Sequence, residues 1–240
     1  MGLACKQGVK GMIAAVVVFA AGIACAEQVP KYAVPEYTVS PDGRYGVSVP
    51  HFFFEKTLTT DTQNRVIDLG TSRVLGVIKQ DFTAYDRSLN YHAMATPRWS
   101  EDSSLLLWYV EGKWFPDSYV LLRFKNGKVQ WQRDLLKISQ QEILARTRKA
   151  SPKQYAAAKA HNAENGSAYP EGFSVDVKAV GMIGLPLRLR VCLSANPKGI
   201  DHALNLDSHL EAVVDEDGSF NVQKFALGCA EWSPFGSCTP

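Results

Sequence analysis

The side chains that could carry acid, base or metal chemistry are few and scattered along the 240 residues. Histidine stands at His51, His92, His161, His202 and His209. The densest group of candidate ligands is Asp201-His202 with Asp207-Ser208-His209, two imidazoles and two carboxylates within nine residues. Zinc ligands recur at helical or knuckle spacings that bring them around one ion, and this stretch has neither. It reads as a polar connection between strands, and no metal site is assigned. Asp215-Glu216-Asp217-Gly218 reads as half of a calcium loop, but the acid that closes such a loop is missing, and Asp and Gly are equally the residues of a tight turn. Ser48 and His51 are neighbours without the strand-turn-helix context of a nucleophile elbow. No H-E-x-x-H, phosphate-cradling glycine loop or dinucleotide fingerprint occurs, so no catalytic residue and no cofactor are assigned.

Aromatic side chains offer more. Phe52, Phe53 and Phe54 form a run, Phe82, Tyr85, Tyr91 and His92 fall in a long connection, and Trp114-Phe115-Pro116 has the look of a loop tip. Aromatic rings are the usual anchors of binding surfaces, and connections longer than about 15 residues are commonly functional. Phe52, Phe53, Phe54, Tyr85, Tyr91, His92, Trp114 and Phe115 are therefore the candidate binding residues. The competing reading has the same rings sealing the ends of sheets.

The elements that must position them are mostly strands. From Tyr37 to Leu136, short β-type runs alternate with turns at Pro41-Asp42-Gly43, Gly70-Thr71-Ser72 and Asn126-Gly127, the last a strong hairpin signal. Glu36 to Ser40 is read as the strand entering the first of these turns. Between Ile138 and Asn165 the period becomes helical. Ser139 with Glu142 reads as a capping box that starts one helix, and Ser151-Pro152 starts a second. Arg146, Arg148, Lys149, Lys153 and Lys159 make this pair basic, read as a solvated face. After residue 166 strands return, with strict alternation from Leu185 to Leu193 that turns Arg188, Arg190 and Cys192 outward. His209–Val214 and Ser219–Phe225 form a hairpin at Asp215–Gly218.

Val39-Ser40-Pro41-Asp42-Gly43-Arg44-Tyr45 and Arg98-Trp99-Ser100-Glu101-Asp102-Ser103-Ser104-Leu105 resemble the W-S-P-D-G turn of TolB-like β-propeller repeats. Residues 65–74 are similar to the strand-turn-strand segment that follows it. The resemblance implies blade-like sheets on a protein-binding scaffold without chemistry of its own. A closed ring usually needs at least about four blades repeating every 40 to 50 residues or so, whereas these turns are separated by 60 positions and no third copy is evident. The expected fold is thus mainly β with a helical insertion: two blade-like antiparallel sheets in 27–136, not a closed propeller, a helical pair in 137–166, and a C-terminal antiparallel sheet in 167–240 that resembles no such repeat.

Residues 1–26 read as a secretory signal peptide: Lys6 and Lys10, an uncharged apolar run from Gly11, and Ala24-Cys25-Ala26 as the cleavage site. This places the protein in the periplasm or outside the cell, with cleavage near Ala26. A lipoprotein anchored at Cys25 is the alternative, and no transmembrane segment is expected in the mature chain. Lys6 and Lys10 leave with the signal, so the mature chain has 24 basic and 24 acidic residues, without the basic excess of a nucleic-acid binder. Cys192, Cys229 and Cys238 remain. Cys229–Cys238 is the expected disulfide, closing a Pro- and Gly-containing loop, with Cys192–Cys229 as its competitor.

The sequence therefore points to an exported non-catalytic binding or envelope-associated module whose partner is another envelope or secreted protein, or a glycan. The alternatives are a secreted hydrolase assembled from scattered residues such as His92, His202 and His209, and an inhibitor or accessory subunit of another secreted protein.

Overall fold

Leu105-Leu106-Leu107-Trp108 is apolar at every position, the composition of a strand covered on both faces. All four side chains are buried, and the strand they form holds the molecule together. The computed structural model describes residues 32–50, 63–79, 95–111, 116–164, 169–195 and 205–232. Three four-stranded antiparallel sheets, each in simple sequential order, make up the fold among these residues. The first holds β1 (Tyr32–Ala33), β2 (Tyr45–Pro50), β3 (Arg65–Asp68) and β4 (Arg73–Val77). The second holds β5 (Ala95–Trp99), β6 (Leu105–Glu111), β7 (Pro116–Lys125) and β8 (Lys128–Asp134). After α1 (Leu135–Ala150) and α2 (Pro152–Glu164), the third holds β9 (Ser174–Val180), β10 (Leu187–Ser194), β11 (Asp207–Val214) and β12 (Phe220–Leu227). The architecture is mainly β with a helical insertion, and the sheets do not close into a barrel or propeller.

Because side chains alternate along a strand, β6 and β7 feed two cores. Leu106, Trp108, Val120 and Leu122 face the first sheet and pack with Tyr45, Val47, Val49 and Val66. Leu105, Leu107, Tyr119 and Leu121 face the other way, against Leu135 and Ile143 of α1 and the inner side chains of the third sheet, among them Val177, Leu189 and Leu210. The second sheet is thus the middle layer, and the N- and C-terminal β regions share it.

The two Asp turns are built alike. Ser40 Oγ donates to Asp42 Oδ1 and accepts from Tyr45 N, while Arg44 N donates to the same carboxylate. Ser100, Asp102, Leu105 and Ser104 repeat each bond. Gly43 and Ser103 occupy the matching left-handed position, at φ 68° and 57°. A third turn of related design joins β11 to β12: Gly218, at φ 80°, donates to Asp215 O, and Ser219 N donates to Asp217 Oδ1.

Two local expectations are corrected. Glu36–Thr38 is a 3-10 turn and not a strand, and β1 at Tyr32–Ala33 pairs with Val49 and Pro50 instead. The Thr38 hydroxyl accepts from Val47 N and donates to Pro35 O or Val47 O, so a side chain serves the ladder that a strand backbone would have served. The first helix begins at Leu135, because the Asp134 carboxylate caps it by accepting from Lys137 N at 2.9 Å. Ser139 therefore lies inside the helix, buried, and does not cap it.

Candidate functional site

The sequence-derived binding residues Phe52, Phe53, Phe54, Tyr85, Tyr91, His92, Trp114 and Phe115 lie outside the described residues, as do His51, His202 and Cys238. The described strand ends on either side of these segments are what the structure places, and they fall together. Register sets Pro50 opposite Tyr32 and Arg65 opposite Val77 at one end of the first sheet, and Ala95 opposite Val110 and Glu111 opposite Pro116 at one end of the second. The sheets run in step: Arg73 Nη2 donates to Gly127 O at 3.4 Å near the turn end of β4 and β8, while Lys79 N donates to Gln132 Oε1 at 3.1 Å and Gln132 Nε2 to Val77 O at 3.2 Å at the other.

On the opposite face of the second sheet, close to that same end, a cleft of about 350 Å3 opens between β5, β6 and β7 on one side and β9 on the other. Thr96 and Arg98 come from β5, Tyr109 from β6, Tyr119 from β7, and Asp176 and Lys178 from β9. Tyr109 and Tyr119 meet edge to face with ring centroids 5.6 Å apart. Burial pushes the Tyr109 phenol up to about 12, aided by the nearby Glu111 and Asp176 carboxylates. Burial likewise raises Tyr119, against the opposing effect of the bond that Ala179 N–H donates to its oxygen at 2.8 Å. Burial also holds the Asp176 carboxyl above the ordinary carboxylate range, although Lys178, at 3.5 Å, works in the other direction. Convergent polar groups with shifted proton affinity in an aromatic cleft are the usual signature of a binding site.

Sequence reasoning missed these residues. Asp176 sits on the polar side of an alternating strand, where nothing local separates it from a solvated carboxylate. Its burial comes from non-local docking of the β9 edge against the second sheet.

A larger cleft, of about 640 Å3, lies at the turn end among Asp102, Arg123, Glu216 and the 182–186 connection. Within it Arg123 pairs with Glu216 at 3.1 Å, and Asp102 accepts from the Ser100 hydroxyl and the Ser104 N–H.

The register of the third sheet sets Cys192 directly opposite Asp176 on one side and His209 on the other, the three residue types of a thiol nucleophile, its base and an orienting acid. The geometry does not open them to a reactant. Cys192 faces the outer side, as the alternation of β10 predicts, but it is covered there and only 2% exposed. The segment Gly228–Trp232 returns over this face: His209 Nδ1–H donates to Gly228 O at 3.0 Å, the Trp232 ring meets His209 edge-on, and the Arg190 guanidinium stacks 5.2 Å from Trp232. Cys192 and Cys229 are not joined, and the Cys229 thiol donates to Asp207 at 3.5 Å. Among the described residues no group of three or more His, Cys, Asp or Glu is arranged to hold a metal, and no helix is long and apolar enough to cross a membrane.

Neither a protein-family model nor a curated protein matches this sequence. A chain in the solved complex of the fission yeast SREBP-SCAP binding domains is similar over 92% of this chain at 8% identity, with a TM-score of 0.29. This chain spans 44% of that one, and so remote a likeness carries no argument about fold or function.

Proposed function

We propose that the mature chain is an exported, non-catalytic binding module that engages another envelope or secreted protein through aromatic segments at one end of a stack of sheets. The observation that supports this reading is the shared location of the strand ends at Pro50 and Arg65, Val77 and Ala95, and Glu111 and Pro116, which flank all three segments. A rigid scaffold that gathers loops at one end is the common arrangement for recognition, and Phe, Tyr and Trp are its usual anchors. The repeated Ser-x-Asp turn and the sequential four-stranded sheets are in keeping with the resemblance to propeller blades. Export rests on the basic, apolar and small-residue parts of residues 1–26. In an oxidising compartment Cys229 is expected to pair with Cys238, which peptide mapping without reductant would reveal.

The test is affinity capture from an envelope and culture-medium extract by the 27–240 protein and by a Phe53→Ala/Trp114→Ala variant. A reproducible, salt-resistant protein partner whose capture falls about tenfold or more in the variant, with the melting temperature nearly unchanged, is the expected result. Equal capture by the variant would remove the aromatic segments from the interface, and a large loss of stability would make the rings part of the core.

A further inference from the structure

We propose that the cleft between the second and third sheets is a saccharide site, of a size for about one or two sugar rings. It lies on the face of the second sheet turned toward β9, near the strand ends named above, and rests on described residues alone.

The edge of β9 argues first. An exposed edge strand is the usual place for an extended peptide to add itself to a sheet. Here the Ala179 N–H donates to Tyr119 Oη at 2.8 Å and the Gly181 carbonyl accepts from Arg98 Nη2 at 2.8 Å. These bonds tie the end of β9 and the residue just after it to the second sheet, which leaves less of the edge for a peptide and gives the side chains of the cleft the larger part in recognition.

Those side chains carry both signs of charge. Asp176 offers acceptor oxygens, while Lys178 and Arg98 offer donors. A simple cation meets repulsion from Lys178 and Arg98, and a simple anion meets it from Asp176. A hydroxyl both donates and accepts, so a polyol satisfies carboxylate and cations together. Tyr109, partly exposed and braced edge to face by the buried Tyr119, adds an apolar surface of the kind that the C–H side of a pyranose ring covers.

Asp176 is also placed against the interest of stability. Its side chain is only 15% exposed, whereas Lys178 beside it is 56% exposed, and burying a carboxylate costs free energy that a solvated position on the same face avoids. A poorly solvated acceptor in an aromatic cleft is the arrangement that gains most from a ligand hydroxyl.

The test is an NMR titration of the 27–240 protein with maltose, chitobiose and digalacturonic acid, which are neutral, acetamido and acidic probes of similar size. The expected result is saturable movement of the Thr96, Tyr109 and Lys178 amide signals with at least one probe, and binding about tenfold or more weaker in Tyr109→Ala and in Asp176→Asn. Asp176→Asn is expected to melt no lower than the parent, so its weaker binding would not reflect unfolding. Absence of saturable movement with all three sugars, or movement that survives both substitutions, overturns the proposal. So does saturation of the same amides by a lysine-containing tripeptide in place of any sugar. The capture experiment reads variants of the loops and this titration reads variants of the cleft, so either reading can fail alone.

Discussion

The backbone N–H of Asp42 donates to the hydroxyl of Ser103 at 3.2 Å, which bonds the turn entering β2 to the turn entering β6 across 61 positions of sequence. In each turn one buried serine oxygen does two jobs, donating to the Asp carboxylate and accepting from the first strand amide, Tyr45 N or Leu105 N. Ser40→Ala and Ser100→Ala should therefore each leave a buried N–H without its acceptor and cost about 1–3 kcal/mol, read by urea denaturation. A change near zero for both would mean that water replaces the hydroxyl and that the turns are not structural clasps.

Leu106 and Leu107 are adjacent, fully buried, and face different cores. Truncating either to Ala removes a large side chain from a filled interior, at a cost of about 2–5 kcal/mol. Because β6 and β7 belong to both cores, both variants should still unfold in one transition, with tryptophan fluorescence and far-ultraviolet circular dichroism coinciding. Two separated transitions in Leu106→Ala would show that the first sheet unfolds on its own.

Much of this was legible locally. The unbroken apolar run at Leu105–Trp108 signals a strand buried on both sides, Asn126-Gly127 adopts the positive φ its composition favours, and Pro152 opens α2. The failures share a cause. At Glu36–Thr38 a threonine hydroxyl substitutes for strand pairing, and at Asp134 a strand residue doubles as a helix cap; both depend on where the neighbouring element lies. The cleft was invisible for the same reason, since Tyr109 and Tyr119 are cross-strand partners in the second sheet and Asp176 reaches them from the third only when β9 docks. The cover over Cys192 likewise comes from a segment far along the chain, and alternation within β10 carries no trace of it.

Gly172 and Asn162 form a second tight pairing. Gly172 has φ +86°, and a Cβ placed there would collide with Asn162 Cβ, while Asn162 Nδ2 donates to Gly172 O at 2.7 Å and Ala195 O at 3.1 Å. Asn162→Ala should cost about 1–3 kcal/mol by leaving two carbonyls short of a donor. Gly172→Ala should cost at least about 2 kcal/mol through strain and overpacking. The collision involves an atom that alanine keeps, so the double variant should lie below Asn162→Ala by most of the Gly172→Ala loss. Rescue in the double variant would place the collision with the amide instead.

Two carboxylates are expected to respond to pH with opposite sign. Glu171 accepts from Lys159 Nζ at 2.9 Å, Tyr155 Oη at 2.9 Å and Arg148 Nη2 at 2.7 and 2.9 Å. The Lys159 bond leads in holding its proton affinity below the ordinary carboxylate range, and burial opposes it. A depressed carboxyl contributes stability above the unfolded-state value, near about pH 4, and that stability is lost as pH falls through the lower folded-state value. Glu171→Gln should thus lower the melting temperature at neutral pH by roughly 2–4 °C, for about 1 kcal/mol from a partly exposed cluster, and the difference should shrink in acid. Asp176 is raised by burial, so the folded state favours its protonated form, and its contribution declines as pH rises from the unfolded-state value through the higher folded-state value. Asp176→Asn removes that penalty. Melting curves from about pH 3 to about pH 8 should show the Asp176→Asn variant gaining on the parent as pH rises, while Glu171→Gln falls behind it. A parent and Asp176→Asn variant with parallel profiles would mean that Asp176 is solvated in solution, and with it the cleft would lose its buried acceptor.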